Sequence, residues 1–478
     1  MDYKQSVEES FFVDDHCYYI GLILISTISI LVSKYLVIVF STARHHLKLS
    51  AIKTSEMAEP TMKEMNILIL GETGVGKSTW INGIVNYLSY SSLLEAENGK
   101  LLSVIPTSFS VTNDDYEEVI IRTGNDTNEE VQPGYSSTQY PKSYIFPRGD
   151  TLIRLIDTPG IGDIRGVAQD KENFKRILDH LSYVPEIHGI CILLKPNNAR
   201  LTVIFQFCIK ELLTHLHRYA SKNIVFCFTN VRTSFYKPGD TLSVLKRLLS
   251  ENKDVEISIS KHTVYCMDNE AFRFLAAVKN GIEFSDYDRI NFSTSWDKSV
   301  EEMNRLLAHI TSLHPHRTQD TISLNNARKL IVALKKPLKI SGSEQAFISE
   351  AITEFATFLR QSATTPYNDG MEDYLDHLIR AEQEKVTLGN DRRVLNSLKD
   401  MKSNYTHEVN ILKESISSSS SNRQESSSER VTEFIDKLSK HKEAGAQLKE
   451  TIDVVTSSKR NALTYLETRL VFIQRSNK

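Results

Sequence analysis

The 478-residue chain has few cysteines, no excess of either charge and few long hydrophobic runs, and each scarcity excludes something. The five cysteines (Cys17, Cys191, Cys208, Cys227, Cys266) are odd in number, widely spaced and mostly set in apolar stretches. They supply neither a disulfide framework nor a zinc site and read as reduced core residues of a cytosolic domain. Lysine and arginine total 57 against 60 aspartates and glutamates, a formal net charge of −3. Without a basic surface to release counterions from a polyanion, nucleic acid is excluded as a partner. Long apolar runs are limited to residues 18–40, a stretch of 23 with Lys34 as its only charge. A helix of ~20 apolar residues crosses a bilayer, and Lys34 near one end can snorkel to the interface. Glu8, Glu9, Asp14 and Asp15 precede the run, whereas Arg44, Lys48 and Lys53 follow it. The acidic leader does not suit a signal peptide. The expectation is a single-pass membrane anchor with everything after it in the cytosol.

The length exceeds what one hydrophobic core usually organises, so several domains are expected. Residues 1–60 hold the anchor and a polar linker, and residues 61–285 alternate short apolar runs with amphipathic segments. The runs at 66–70, 119–122, 151–156, 189–194, 223–228 and 263–266 read as strands. Strands alternating with helices predict an α/β domain with a mostly parallel sheet covered on both faces. Residues 286–365 turn to helical periodicity, with segments at 299–313, 325–334 and 345–360. Residues 366–478 form a polar, coiled-coil-like tail. Its apolar positions Leu398, Met401, Tyr405, Val409 and Leu412 recur at spacings of three and four and outline one helix face. Eight serines among residues 417–428 interrupt it, and a second helix at 431–455 then offers a partner for an antiparallel hairpin.

The chemistry concentrates in Gly71-Glu72-Thr73-Gly74-Val75-Gly76-Lys77-Ser78-Thr79, which follows an apolar strand and opens a helix. Glycines let the backbone curl so that consecutive N–H groups face phosphate oxygens, with the positive end of the helix behind them. Gly71, Thr73, Gly74, Gly76 and Thr79 belong to this cradle. Lys77 reaches toward the β- and γ-phosphates, and Ser78 offers its hydroxyl to Mg²⁺. A second motif, Asp157-Thr158-Pro159-Gly160, ends the strand at 151–156. A carboxylate there can hold Mg²⁺, and the Gly160 N–H can sense the γ-phosphate. The loop after it, with Gly162, Asp163, Arg165 and Gly166, has the composition of a mobile switch.

The segments Gly-Glu-Thr-Gly-Val-Gly-Lys-Ser-Thr at 71–79 and Asp-Thr-Pro-Gly-Ile-Gly-Asp at 157–163 resemble the P-loop GTPase class that contains septins, immunity-associated GTPases and chloroplast-import GTPases. The resemblance covers about residues 65–285. It implies a G domain that binds GTP and GDP with Mg²⁺ and dimerises through its nucleotide face, often near a membrane. It also implies a threonine upstream of the sensor as a further Mg²⁺ ligand, for which Thr138 is best placed and Thr107 second.

Two departures from that pattern matter. Where such domains carry Thr/Asn-Lys-x-Asp to read guanine, this chain has Thr229-Asn230-Val231-Arg232. Arginine accepts no hydrogen bond; the Asn230 amide, which both donates and accepts, is a partial substitute, and Arg232 either addresses the O6/N7 edge of guanine or is a surface charge. The residue after the sensor glycine is Ile161, where many small G proteins use glutamine to orient water. Hydrolysis must then recruit Asp163, Arg165, a dimer partner or a separate activator, and is expected to be slow. Three readings stand: a membrane-anchored GTPase, a non-hydrolysing nucleotide-dependent scaffold, and a P-loop ATPase with relaxed base specificity.

Overall fold

Apolar runs without a polar alternate position become the centre of a sheet, because a strand covered on both faces has no side to give to water. In the computed structural model, which describes residues 62–112, 115–124, 138–162, 166–197, 203–251, 255–419, 425–456 and 466–470, five strands, of which those at 189–194 and 224–228 are such runs throughout, run parallel. They are β1 (Lys63–Gly71), β5 (Thr151–Asp157), β7 (Gly189–Leu194), β8 (Ile224–Phe228) and β9 (Val264–Cys266). Between β1 and β5 in the chain lie β2 (Thr107–Thr112), β3 (Glu118–Thr123) and β4 (Lys142–Arg148). The seven-stranded order is β11-β4-β5-β1-β7-β8-β9, with β4 antiparallel to β5 and β11 (Leu466–Arg469) parallel to β4, while the two-residue strands β6 (Glu186–Ile187) and β10 (His316–Arg317) pair separately. Gly71 pairs in register with Leu193, and Leu68 with Ile156. The glycine loop and Asp157 therefore emerge side by side at the carboxyl ends of the strands, where open α/β sheets bind ligands.

Helices cover both faces. On one side α1 (Lys77–Ser89), with the short α2 (Leu93–Asn98), shares a core with the strands and with later helices. On the other lie α3 (Val167–Leu181), α4 (Val203–His215) and α5 (Thr241–Ser250). The chain returns to the first side with α6 (Glu270–Lys279) and the long α7 (Asp286–Ser312). Cys191, Cys208, Cys227 and Cys266 are buried free thiols within these cores.

The second part of the chain is helical: α8 (Thr318–Leu334), α9 (Gly342–Ser362), α10 (Met371–Thr387), α11 (Arg393–Ser418) and α12 (Ser428–Lys440), then α13 (Lys442–Gln447) and α14 (Lys449–Thr456). Met371, Tyr374 and Leu375 of α10 enter the core formed by α3, α4 and the sheet. The helical part is thus packed on the sheet domain.

Three expectations change. The run at 119–122 is a strand, β3, but it belongs to a separate two-stranded antiparallel sheet with β2 and not to the main sheet. Its side chains alternate between buried and exposed, which suits a strand with only one covered face. The apolar face of α11 is covered mainly by helices other than the one after the serine-rich break, although Ile411 and Leu412 share a core with Val431 and Phe434 of that helix. α11 packs on α8, α9 and α10, while α12 packs on α8 and α9. Finally, the expected helix at 431–455 is broken at His441, whose backbone is extended, and again at Leu448. The anchor at 18–40, the switch residues Asp163 and Arg165, and residues 420–424 of the serine-rich break lie outside the described residues. No helix among the described residues is long and apolar enough to cross a membrane.

Candidate nucleotide-binding site

Gly76 starts α1 from a left-handed conformation (φ 98°) with no side chain capping the helix. Its first N–H groups therefore face the loop unmatched by a side-chain acceptor, the arrangement that suits an anion. A Cβ at Gly76 would lie 2.7 Å from Asn269 Nδ2, so the close seat of that asparagine also requires glycine. Lys77 is buried, and its Nζ donates to the carbonyls of Gly71 and Glu72, both at 3.3 Å. These long bonds hold the ammonium under the loop. Gly74 is at the exposed tip with φ 74°, and Ser78 and Thr79 are half-buried in the first turn of α1.

The sensor segment is tied directly to this loop. Thr73 donates its N–H to Ile161 O at 2.8 Å, and Ile161 donates its own to Gly71 O at 3.2 Å. Gly160 fits only as glycine, since a Cβ there would stand 2.5 Å from Thr73 Oγ1 and 2.7 Å from its Cα. Thr158 anchors the turn by donating to Ile69 O at 2.6 Å, and Asn173 of α3 donates to Gly160 O at 3.1 Å. Asp157 is fully buried and accepts from Thr138 Oγ1 at 3.0 Å through one oxygen. Its other oxygen has no hydrogen-bond partner among the described residues. Burial pushes its carboxyl up to about 6, against the opposing pull of Lys77 and the bonds from Thr138 and Thr158. A buried carboxylate oxygen without a partner is costly. A hard cation with oxygen ligands answers that cost, and the donors Ser78, Thr138 and Asp157 fit Mg²⁺.

The base end is assembled from two loops. Thr229 is buried and donates to Val75 O at 2.8 Å, fastening the loop after β8 to the phosphate loop. Asn230 is exposed in a left-handed conformation (φ 55°). Arg232 stacks over the Phe292 ring at 4.7 Å and donates to Glu270 Oε2 at 3.0 Å. Glu270 opens α6, directly after Asp268 and Asn269, and Asn269 Nδ2 donates to Gly76 O at 3.2 Å. Asp268 is buried; its Oδ1 accepts the Glu270 N–H at 3.1 Å, and burial, with Glu270 beside it, raises its carboxyl to about 6. A carboxylate does stand at this end of the pocket, but it comes from Glu270, with Arg232 as its holder.

The structure thus gathers Gly71, Thr73, Gly74, Gly76, Lys77, Ser78 and Thr79 with Asp157, Gly160 and Thr138 at one end, and Thr229, Asn230 and Arg232 at the other. Thr107 does not join them: it lies in β2, its hydroxyl 2.8 Å from Thr123 Oγ1. The sequence reading missed Glu270, Asn269 and Asp268. Its available signal was the polar triplet at the carboxyl end of β9, the position where such sheets place ligand contacts. His215 and His217 form no metal pair. His215 meets Asn325 and Glu211, whereas His217 accepts from the Tyr219 N–H. No cluster of metal-ligating side chains of three or more occurs among the described residues.

Residues 66–230 match the family model described as 50S ribosome-binding GTPase. No curated protein matches the chain. Among solved structures, Toc33 from Arabidopsis thaliana in complex with GDP and Mg²⁺ is 15% identical, covering 55% of this chain and 88% of that chain with a TM-score of 0.32. Toc33 in complex with Mg²⁺ and GMPPNP is 16% identical, covering 52% and 85%, with a TM-score of 0.31. Era from Aquifex aeolicus bound to GDP and AlF4⁻ is 12% identical, covering 56% and 68%, with a TM-score of 0.27. The segment from Asn66 to Asn230 is a P-loop GTPase domain, and the family likeness is limited to that G domain.

Proposed function

We propose that the chain is a membrane-anchored GTP-binding protein that binds GTP and GDP with Mg²⁺, hydrolyses GTP slowly and switches or dimerises through its G domain. The observation that carries the nucleotide reading is the meeting of Lys77, the free start of α1 and the unsatisfied oxygen of Asp157 at one end of the sheet. Lys77 and the loop N–H groups would hold the phosphates. Ser78, Thr138 and Asp157 would hold Mg²⁺, which supplies positive charge to the phosphoryl oxygens. Glu270 would accept the guanine N–H groups, a role adenine cannot satisfy because its edge presents the opposite pattern there. The residues 18–40 would attach the protein to a bilayer, and the dimer follows from the family resemblance alone.

Slow turnover follows from Ile161. Its backbone is tied to Gly71 and Thr73, and its side chain is 1% exposed, so it presents nothing that could orient water. The same observation favours a second reading, a scaffold that binds nucleotide without hydrolysing it. Single-turnover hydrolysis across a range of protein concentrations separates the two. Turnover that rises with concentration supports a dimer supplying the missing group, whereas none at any concentration favours the scaffold. Nucleotide binding by Lys77→Ala at wild-type affinity would overturn the site itself.

A further inference from the structure

A cavity of about 310 Å³ lies at the junction of the G domain and the helical part, away from the nucleotide site. Its walls come from α3, α4, α8, α10, α11 and the turn between α9 and α10. The interior is apolar, built by Phe174, Leu178, Val332, Met371, Val409 and Leu412. Three exposed lysines stand among the lining residues, Lys171 and Lys175 from α3 and Lys329 from α8.

The other charged lining groups are already engaged or too few to balance these cations. Arg328 gives its guanidinium to Pro366 O (2.9 Å), Thr214 O (2.7 Å) and Asn325 Oδ1 (3.0 Å). Glu211 accepts from Asn368 Nδ2 at 2.7 Å and faces His215 Nε2 at 3.2 Å. Glu408 is the remaining carboxylate of the lining, and Asp179 on α3 offsets part of the charge of Lys175 and Lys329. The mouth stays cationic. Lys171 lies over the Tyr405 ring at 5.9 Å, and no hydrogen bond or ion pair involves Lys175 or Lys329 among the described residues.

An apolar chamber with a cationic mouth selects a ligand with one alkyl body and one anionic end. A cation meets like charge at the mouth, and a polar ligand finds few free donors inside. The volume is at the lower limit for ligand pockets, which admits a single chain and not a two-chain lipid. We propose that this cavity binds a free medium-chain fatty acid, its alkyl chain along Phe174, Val332 and Leu412 and its carboxylate among Lys171, Lys175 and Lys329. The proposal also accounts for the apolar stripe of α11, since Tyr405, Val409 and Leu412 all line this cavity.

The test is equilibrium binding of decanoate, decanol and decylammonium to the full chain. Decanoate should bind best and decylammonium worst. The double variant Lys175→Glu/Lys329→Glu changes two exposed side chains and should cost decanoate about tenfold in affinity while sparing decanol. Val332→Trp should fill the chamber and remove binding of all three, with GDP binding as a readout that the protein remains folded. Should Val332→Trp not fold, the charge-reversal variant decides alone. Equal affinity for decanoate and decylammonium, or decanoate affinity unaltered by charge reversal, overturns the proposal. Both results are independent of what occupies the nucleotide site.

Discussion

The two ends of the nucleotide site are built in different ways. The phosphate end is one continuous segment, Gly71 to Thr79, laid against the end of the neighbouring strand at Asp157. Its contacts are mostly backbone, so its construction depends on where glycine is placed. The base end joins side chains from two loops nearly forty residues apart, Thr229 to Arg232 and Asp268 to Glu270, through an ion pair. Here the loop after β8 carries a cation, Arg232, where the family pattern has a carboxylate, and the carboxylate it pairs with is Glu270 at the start of α6. Backbone construction gives a recognisable motif, while side-chain construction across two loops leaves no contiguous signature.

The predictions separate the ends. Lys77→Ala acts on the phosphate end alone and should weaken GTP and ATP analogues alike by about a hundredfold or more, the scale of leaving a buried charge partner unmatched. Glu270→Ala acts on the base end alone and should reduce the GDP-over-ADP preference by roughly tenfold to a hundredfold, leaving phosphate-dependent affinity in place. Arg232→Asp should reduce that preference too, because it repels Glu270. The double change Arg232→Asp/Glu270→Lys restores an opposite-charge pair with a carboxylate on the first loop and should recover it. Failure of the double variant to exceed either single change would show that the ion pair does not form the base end.

Acidity distinguishes the ends by a different route. Only the ionised form of Asp157 holds a cation, and burial raises its carboxyl to about 6. The Mg²⁺-dependent part of nucleotide affinity should be complete above that value and fall as pH drops through it, by up to about tenfold per unit. Asp157→Asn should remove this dependence on both Mg²⁺ and pH; persistence of the Mg²⁺ effect in that variant would displace Asp157 as the ligand. The smallest effect belongs to the connection between the ends. Thr229→Val deletes the bond to Val75 O and should cost about 1 kcal/mol of stability, lowering GDP and ADP affinity together, which a denaturant melt and paired binding curves would detect.

The comparison also explains what was legible in the sequence. Strand, glycine loop and helix are contiguous, so the P-loop was readable, and Asp157 was marked by the apolar strand it ends. Thr138 has no fixed spacing, but the structure places its hydroxyl 3.0 Å from Asp157. Glu270 is not legible because the base-reading pattern lies at the end of β8, where Arg232 accepts nothing, while the carboxylate that pairs with Arg232 stands beyond β9. Among the helices, periodicity marked the correct face of α11 but not its partners. A stripe at spacings of three and four specifies that a face is covered, and α8, α9 and the preceding α10 supply most of the cover instead of a helix after the serine-rich break. The hairpin of β2 and β3 was missed for a related reason: four residues of Val119 to Arg122 are too few to separate alternation from a buried run.

The most direct test is equilibrium binding of fluorescent GDP and ADP, with and without Mg²⁺, to the full chain and to its Glu270→Ala variant. The account predicts a clear GDP preference, strengthened by Mg²⁺ and lost in the variant while residual binding to both nucleotides survives. Equal affinity for GDP and ADP in the unaltered chain would contradict it.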